Sequence, residues 1–372
     1  MDRQKWPGAV HDMVGGRRPR QEIGQGAANR NTLGGTRDPM THEFASNRYE
    51  SAAFRRCGDS GLMLPLISLG FWQALGEPGM EDVCRQCMYT AFDSGITHFD
   101  LANNYGPPPG NSEIVVGEIL KDMPRDELII STKAGYGMWS GPYGDGGSKK
   151  YLVASLDQSL QRMGLEYVDI FYHHRPDNET PLEETLAALD LIVRQGKALY
   201  VGVSSYSGAR YAQAVEMCRQ HDWAPITIHQ PYYNMLGRGI ETDLLPHTTV
   251  HGTGIIAFCP LAGGTLTDRY LQGLPPDSRQ GKRGEDGQHW WRQEQEKGHW
   301  DCLGQLNAIA QERGQTLAQM ALAWTLRLPG VTSALIGAST VEQLKQNIAA
   351  QDNLAFSADE LARIDVVLKT WS

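Results

Sequence analysis

His98-Phe99-Asp100-Leu101-Ala102-Asn103-Asn104-Tyr105-Gly106 leads an apolar run into a carboxylate, then sets a tyrosine before a glycine and Pro107-Pro108-Pro109. Read locally, it is a strand that ends at Asp100 and a loop that carries Tyr105. Two readings are open on this stretch alone. Asp100 caps a turn beside an ordinary surface tyrosine, or both side chains are functional groups at a strand end. The segments on either side decide between them.

Working outward, a strand–helix alternation begins near Phe54 and hardly breaks. Gly58-Asp59-Ser60-Gly61 between 54–57 and 63–64 reads as a β-hairpin. Strands are expected at 67–71, 97–100, 128–132, 167–172, 198–203, 226–230, 254–258 and 333–336. The helices between them are expected at 81–94, 112–121, 150–163, 182–195, 208–219, 240–245, 302–313, 316–326 and 341–350. A long polar insertion follows 254–258, and a last helix at 358–367 opens on the capping box Ser357-x-x-Glu360. Such alternation means a parallel sheet, and eight strand–helix units close a (β/α)8 barrel. The competitor, an open doubly wound sheet, would carry a G-x-G-x-x-G turn after its first strand; no strand here is followed by one. The expected fold is α/β, a (β/α)8 TIM barrel with an N-terminal β-hairpin and an extra C-terminal helix.

Composition narrows the function. The chain has 372 residues, 41% apolar and 21% charged, and a net charge of −9. That charge argues against nucleic acid or an anionic membrane as the partner, and no apolar run reaches the length of a membrane span. The cysteines Cys57, Cys84, Cys87, Cys218, Cys259 and Cys302 lack zinc-site spacing, and the Cys84-x-x-Cys87 pair sits in a helical segment, so buried thiols in a reducing, cytoplasmic setting are expected and no metal. Residues 1–45 are rich in Gly, Arg, Asn and Gln with little apolar content. They are expected to be a disordered leader, or a tag or misassigned start ahead of Met40, with the folded domain spanning 46–372.

In this kind of barrel the chemistry sits in the loops after the strands' C-terminal ends. Polar residues collect there: Asp100 and Tyr105, Ser131-Thr132-Lys133, His173-His174-Arg175, Ser204-Ser205-Tyr206, Gln230-Pro231-Tyr232, Phe258-Cys259-Pro260-Leu261-Ala262-Gly263 and Gly337-Ala338-Ser339. Each would cost desolvation if buried unpaired, so their collection at one end points to a site.

The motifs F-D-L-A-N-N-Y-G, S-T-K, Y-V-D-I-F-Y-H-H, G-V-S-S-Y-S, H-Q-P-Y-Y-N and L-I-G-A-S-T-V-E-Q-L-K-Q-N resemble those of aldo-keto reductases from about Phe54 to Val367. Gly106–Gly110 and 133–149 resemble the L-glyceraldehyde 3-phosphate reductase branch, which is related to potassium-channel β subunits. The resemblance implies a tetrad of Asp100, Tyr105, Lys133 and His174, with His174 selected over His173 by its spacing of five from Asp169. Tyr105 would be the general acid, its pKa lowered by Lys133; Asp100 would hold Lys133; His174 would bond the carbonyl oxygen. It implies NADP(H), with Ser204, Ser205 and Gln230 at the carboxamide and Phe258 stacked on the nicotinamide. Cys259 and Leu261 would line the pyrophosphate path, Gly263 would join the cofactor-binding set, Arg269 and Arg279 would clasp phosphates, and Ser339, Gln343 and Asn347 would hold the adenosine end. Gly337 and Gln343 stand where other members carry Lys and Arg, which weakens the case for a 2′-phosphate.

Trp72, Tyr136 and Trp139 are expected either to wall the substrate pocket or to pack a lid, and Arg175 either to meet an anionic substrate group or to make a surface ion pair. The implied function is NADPH-dependent reduction of a small carbonyl substrate by a homo-oligomer. The alternatives are a redox-sensing channel subunit with little turnover, and an isomerase or aldolase barrel using Lys133 as a Schiff base.

Overall fold

The computed structural model describes residues 42–72 and 74–371; the expected leader, apart from 42–45, lies outside them. The hairpin pairs β1 (Phe54–Arg56) antiparallel with β2 (Met63–Pro65). Eight further strands follow: β3 (Ile67–Gly70), β4 (His98–Asp100), β5 (Ile129–Ala134), β6 (Val168–His173), β7 (Ala198–Ser204), β8 (Ile226–Gln230), β9 (Gly254–Phe258) and β10 (Val331–Ile336). They close into a barrel in the order β10-β3-β4-β5-β6-β7-β8-β9, every pairing parallel.

Period-two alternation along short strands separates two apolar faces. Leu69, Phe99, Ile130, Phe171 and Val201 join the large cluster against the surrounding helices. Ile170, Tyr172, Ile228, Ile256 and Leu335 form a second cluster with Cys57, Leu62 and Leu64 of the hairpin. The hairpin therefore closes the N-terminal end of the barrel. Gly58 is required there: its φ is +56°, and a Cβ would stand 2.0 Å from the Gly252 carbonyl oxygen.

Helix starts follow local chemistry. Ser148, Ser207 and Thr340 each accept a hydrogen bond from a first-turn backbone N–H. Ser357 and Glu360 form the expected capping box on Ala358–Leu368. Residues 42–45 pack on Glu81–Asp93: Ala45 N donates to Asp93, and the Phe44 ring meets Phe92 edge-on at 5.0 Å. Cys84 and Cys87 of that helix are buried, and burial pushes their thiols up to about 12 and about 11.

Three stretches depart from the expected elements, the first being the helix expected at 240–245, which is split into Ile240–Asp243 and Leu245–His251. The last strand begins at Val331 rather than Ser333, because Val331 already pairs with Ile255 and a register shift at Thr332 carries the strand on to Ser333. The insertion after β9 holds a helix, Glu285–Glu296, as well as the start of His299–Glu312. Its first helix carries few apolar residues and is held by rings: Trp290 and Trp291 lie 5.5 and 5.8 Å from Trp300, with Tyr270 5.6 Å from Trp290.

Candidate active site

The C-terminal mouth brings β4 and β5 into a register that sets Asp100 opposite Ser131. Asp100 and Lys133 are fully buried. Lys133 Nζ donates to Asp100 Oδ2 at 2.5 Å and to the Leu101 carbonyl at 2.7 Å, and lies 3.3 Å from the Tyr105 hydroxyl. The other carboxylate oxygen accepts from Ser131 Oγ at 2.6 Å and from Gln230 Nε2 at 3.2 Å. Burial pulls the Lys133 pKa down, and the paired Asp100 carboxylate works against that pull.

Tyr105 is held by its backbone: its N–H bonds Ala102, and its carbonyl accepts from Gly110 and Ser112. His174 N–H bonds the Ala134 carbonyl at 2.8 Å, prolonging the β5–β6 ladder by one residue. Its ring stands edge-on to Tyr105 at 5.8 Å and to Tyr136 at 4.8 Å. His173, the last residue of β6, turns away and bonds the Tyr206 hydroxyl at 2.8 Å. The geometry thus brings His174, not His173, beside Tyr105.

The electrostatics reverse one expectation. Tyr105 is not drawn down by Lys133; burial first, then the Asp100 charge, hold its pKa well above 10. At rest the Asp100 charge offsets that of Lys133, so the pair does not draw the phenol down, although Lys133 remains the cation nearest its oxygen at 3.3 Å. His174 is kept neutral by burial and then by the Lys133 charge. The site therefore presents a protonated phenol, a cation ready to stabilise the phenolate left after proton loss, and a neutral imidazole. That set can deliver a proton to a ligand oxygen.

Around the mouth, Ser204 Oγ and Ser205 N both bond the Gln230 carbonyl. Gln230's amide nitrogen serves Asp100, so only part of that side chain is left for a ligand. Phe258 is half-buried, with Tyr232 edge-on at 5.8 Å. Ser205, Cys259 and Ala262 hold left-handed backbone at φ 60°, 54° and 49°. Leu261 precedes the turn Ala262–Gly264 and accepts from Gly264 N, and Gly263 takes φ +68° with Arg279 beside it. Arg279 lies over the Trp72 ring at 4.9 Å, so the insertion reaches the loop after β3.

Arg269 is paired with Asp277, and Gln343 accepts from Ser339 N and Oγ. Asn347 Nδ2 is buried without a partner among the described residues. A dinucleotide fits this rim: the Arg279 cation, strained backbone and an unpaired amide lie on elements that ring one barrel end.

The substrate-side residues divide. Tyr136 edges onto His174, and Arg175 lies over Tyr136 at 4.7 Å, bonding the Gly135 carbonyl and Asp145 at 2.7 Å each. Trp139 instead packs on Tyr151 at 5.1 Å, with Tyr151 bonded to the Tyr136 carbonyl. It fits the lid-packing alternative. Sequence reasoning read Ser131 only as a strand end. Its place two residues before Lys133, on the same strand face, was the available signal.

A sequence profile described as "Aldo/keto reductase family" matches residues 66–369. The L-glyceraldehyde 3-phosphate reductases of Escherichia coli O157:H7 and of Escherichia coli strain K12 are each 54% identical over 323 residues, covering 86% of this chain and 93% of theirs. A putative voltage-gated potassium channel subunit beta of Schizosaccharomyces pombe is 35% identical over 325 residues, covering 86% and 94%. Among the described residues no helix is long and apolar enough to cross a membrane.

Proposed function

The chain belongs to the aldo/keto reductase family, and from that premise we propose that it reduces small aldehydes with NADPH, L-glyceraldehyde 3-phosphate and methylglyoxal foremost. One observation carries the reaction: a tyrosine hydroxyl 3.3 Å from a buried lysine that is itself tied to a carboxylate. The substrate class is supported by the 54% identity to reductases named for that triose phosphate, against 35% to the channel-subunit relative.

NADPH, when bound, supplies the hydride taken up by the carbonyl carbon. His174 donates a hydrogen bond to the carbonyl oxygen and orients it toward Tyr105. Tyr105 gives that oxygen its phenolic proton as negative charge grows there. Lys133 stabilises the phenolate until solvent reprotonates it, and Asp100 keeps Lys133 charged and in place. Ser204, Ser205, Gln230, Phe258, Cys259, Leu261, Gly263, Arg269, Arg279, Ser339, Gln343 and Asn347 would hold the cofactor. The purified protein should oxidise NADPH on addition of these aldehydes, followed at the nicotinamide absorbance; tight NADPH binding with no turnover of any aldehyde would favour the sensing subunit instead.

Arg175 is the residue for the substrate's phosphate. Its partner Asp145 is 53% exposed, and such pairs contribute no more than about 1 kcal/mol. A dianionic phosphate can displace Asp145 and gain a bidentate partner. Arg175→Met is expected to raise KM for L-glyceraldehyde 3-phosphate about tenfold, a loss of one charge-assisted contact, while KM for unphosphorylated glyceraldehyde changes far less. Equal effects on both substrates would remove Arg175 from phosphate recognition.

A further inference from the structure

The layer of side chains pointing into the barrel beneath the site is split by chemistry. One part is apolar, with Ile170, Tyr172, Ile228, Ile256 and Leu335. The other, drawn from β10, β3, β4 and β5, is Ser333, Ser68, His98 and Ser131, all fully buried. Barrel interiors are ordinarily filled by branched apolar residues, and each buried polar group costs free energy unless it is paired. Here the four form one line. Ser333 Oγ meets Ser68 Oγ at 2.7 Å, Ser68 Oγ meets His98 Nδ1 at 2.9 Å, His98 Nε2 meets Ser131 Oγ at 3.0 Å, and Ser131 Oγ meets Asp100 at 2.6 Å.

Counting hydrogens gives the line a direction. An ionised Asp100 only accepts, so Ser131 uses its single hydrogen on it. The Ser131 oxygen must then accept from His98 Nε2–H. A neutral imidazole has its other nitrogen bare, and Ser68 donates to it. Ser68 in turn accepts from Ser333, whose other acceptor, the Leu66 carbonyl, is farther at 3.3 Å. Burial lowers the His98 pKa to about 4, and the charged groups acting on it are Asp100 and Lys133. The ring is neutral at physiological pH, as the line requires.

We propose that His98 is a positioning residue for proton transfer: as the Nε2–H tautomer it locks the Ser131 hydroxyl onto Asp100, which fixes the carboxylate that anchors Lys133 beneath Tyr105. This rests on the reading of Tyr105 as proton donor.

Nitrogen-15 NMR of the wild-type protein tests the line without any turnover. His98 should show a protonated Nε2 and a bare Nδ1; an Nδ1–H tautomer, or a charged ring at neutral pH, overturns the proposal. In kinetics, His98→Leu should lower kcat about tenfold with KM and NADPH affinity unchanged, because the Asp100–Lys133 pair beneath Tyr105 loses a fixed donor. His98→Gln, which keeps an N–H toward Ser131, should recover most of the rate. His98→Leu combined with Ser131→Ala should cost little more than either alone. A folded His98→Leu protein with wild-type kcat, a kcat loss that His98→Gln does not recover, or losses that simply add, overturns the proposal. A wild-type protein that turns over no aldehyde counts against the reductase reading, and the tautomer then decides the hydrogen-bond line by itself.

Discussion

Tyr105→Phe is expected to cut aldehyde turnover about a thousandfold or more while NADPH binding, measured by fluorescence titration, stays close to wild type. The substitution deletes one oxygen and leaves the ring against His174. General acid catalysis by a positioned side chain is worth about 10²–10⁴-fold, and the removed hydroxyl is also the one that Lys133 faces. The loss should therefore fall in kcat and kcat/KM alike, the signature of an interaction made in the transition state. Retained turnover would exclude Tyr105 as the proton donor. The raised Tyr105 pKa sharpens the expectation: the group stays protonated throughout the neutral range, so no loss of the acid form is expected there.

The second large effect is on stability against acid. His98, His173 and His229 are fully buried and neutral, with pKa values lowered by burial to about 4, about 4 and about 3 against an ordinary 6.5. The unfolded chain binds protons at these positions from about pH 6.5 downward, and the folded chain does not. A depressed folded pKa means that protonation favours the unfolded state, so stability is fully present above pH 6.5 and falls as pH drops toward 4. At 1.36 kcal/mol per pKa unit, the three together remove on the order of 5–10 kcal/mol, comparable to the whole stability of a domain. Denaturant midpoints measured from pH 7 to pH 4 should fall steeply with an onset near 6.5. A flat profile to pH 5 would show that these rings do not gain protons on unfolding.

Much of this molecule was legible in its sequence, for identifiable reasons. Strands 226–230 and 254–258 match β8 and β9 because strands buried on both faces read as short apolar runs between turn residues. Asp100, Tyr105 and Lys133 stood out because titratable residues at strand ends are costly to place there without a use. The helix Glu285–Glu296 was not legible: tryptophans stacking across the insertion hold it, and that is tertiary information. The sign of the Tyr105 shift was also hidden, since it depends on how fully the whole site is buried and on the Asp100 charge offsetting that of Lys133. Ser333, Ser68, His98 and Ser131 come from four strands far apart in the chain. Only closure of the barrel makes them one line.

The left-handed backbone at Ser205, Cys259 and Ala262 makes the mouth a reserve of unused thermostability. A side-chain-bearing residue in that conformation costs about 1–2 kcal/mol, and glycine there gives back about 0.4–1 kcal/mol through a more disordered unfolded chain. Each glycine substitution would thus gain between about zero and about 1.6 kcal/mol. It would do so by loosening the loops that define the rim. A lineage under pressure for heat resistance has an accessible route through these three positions, and one under pressure for a well-ordered rim has reason to leave them alone.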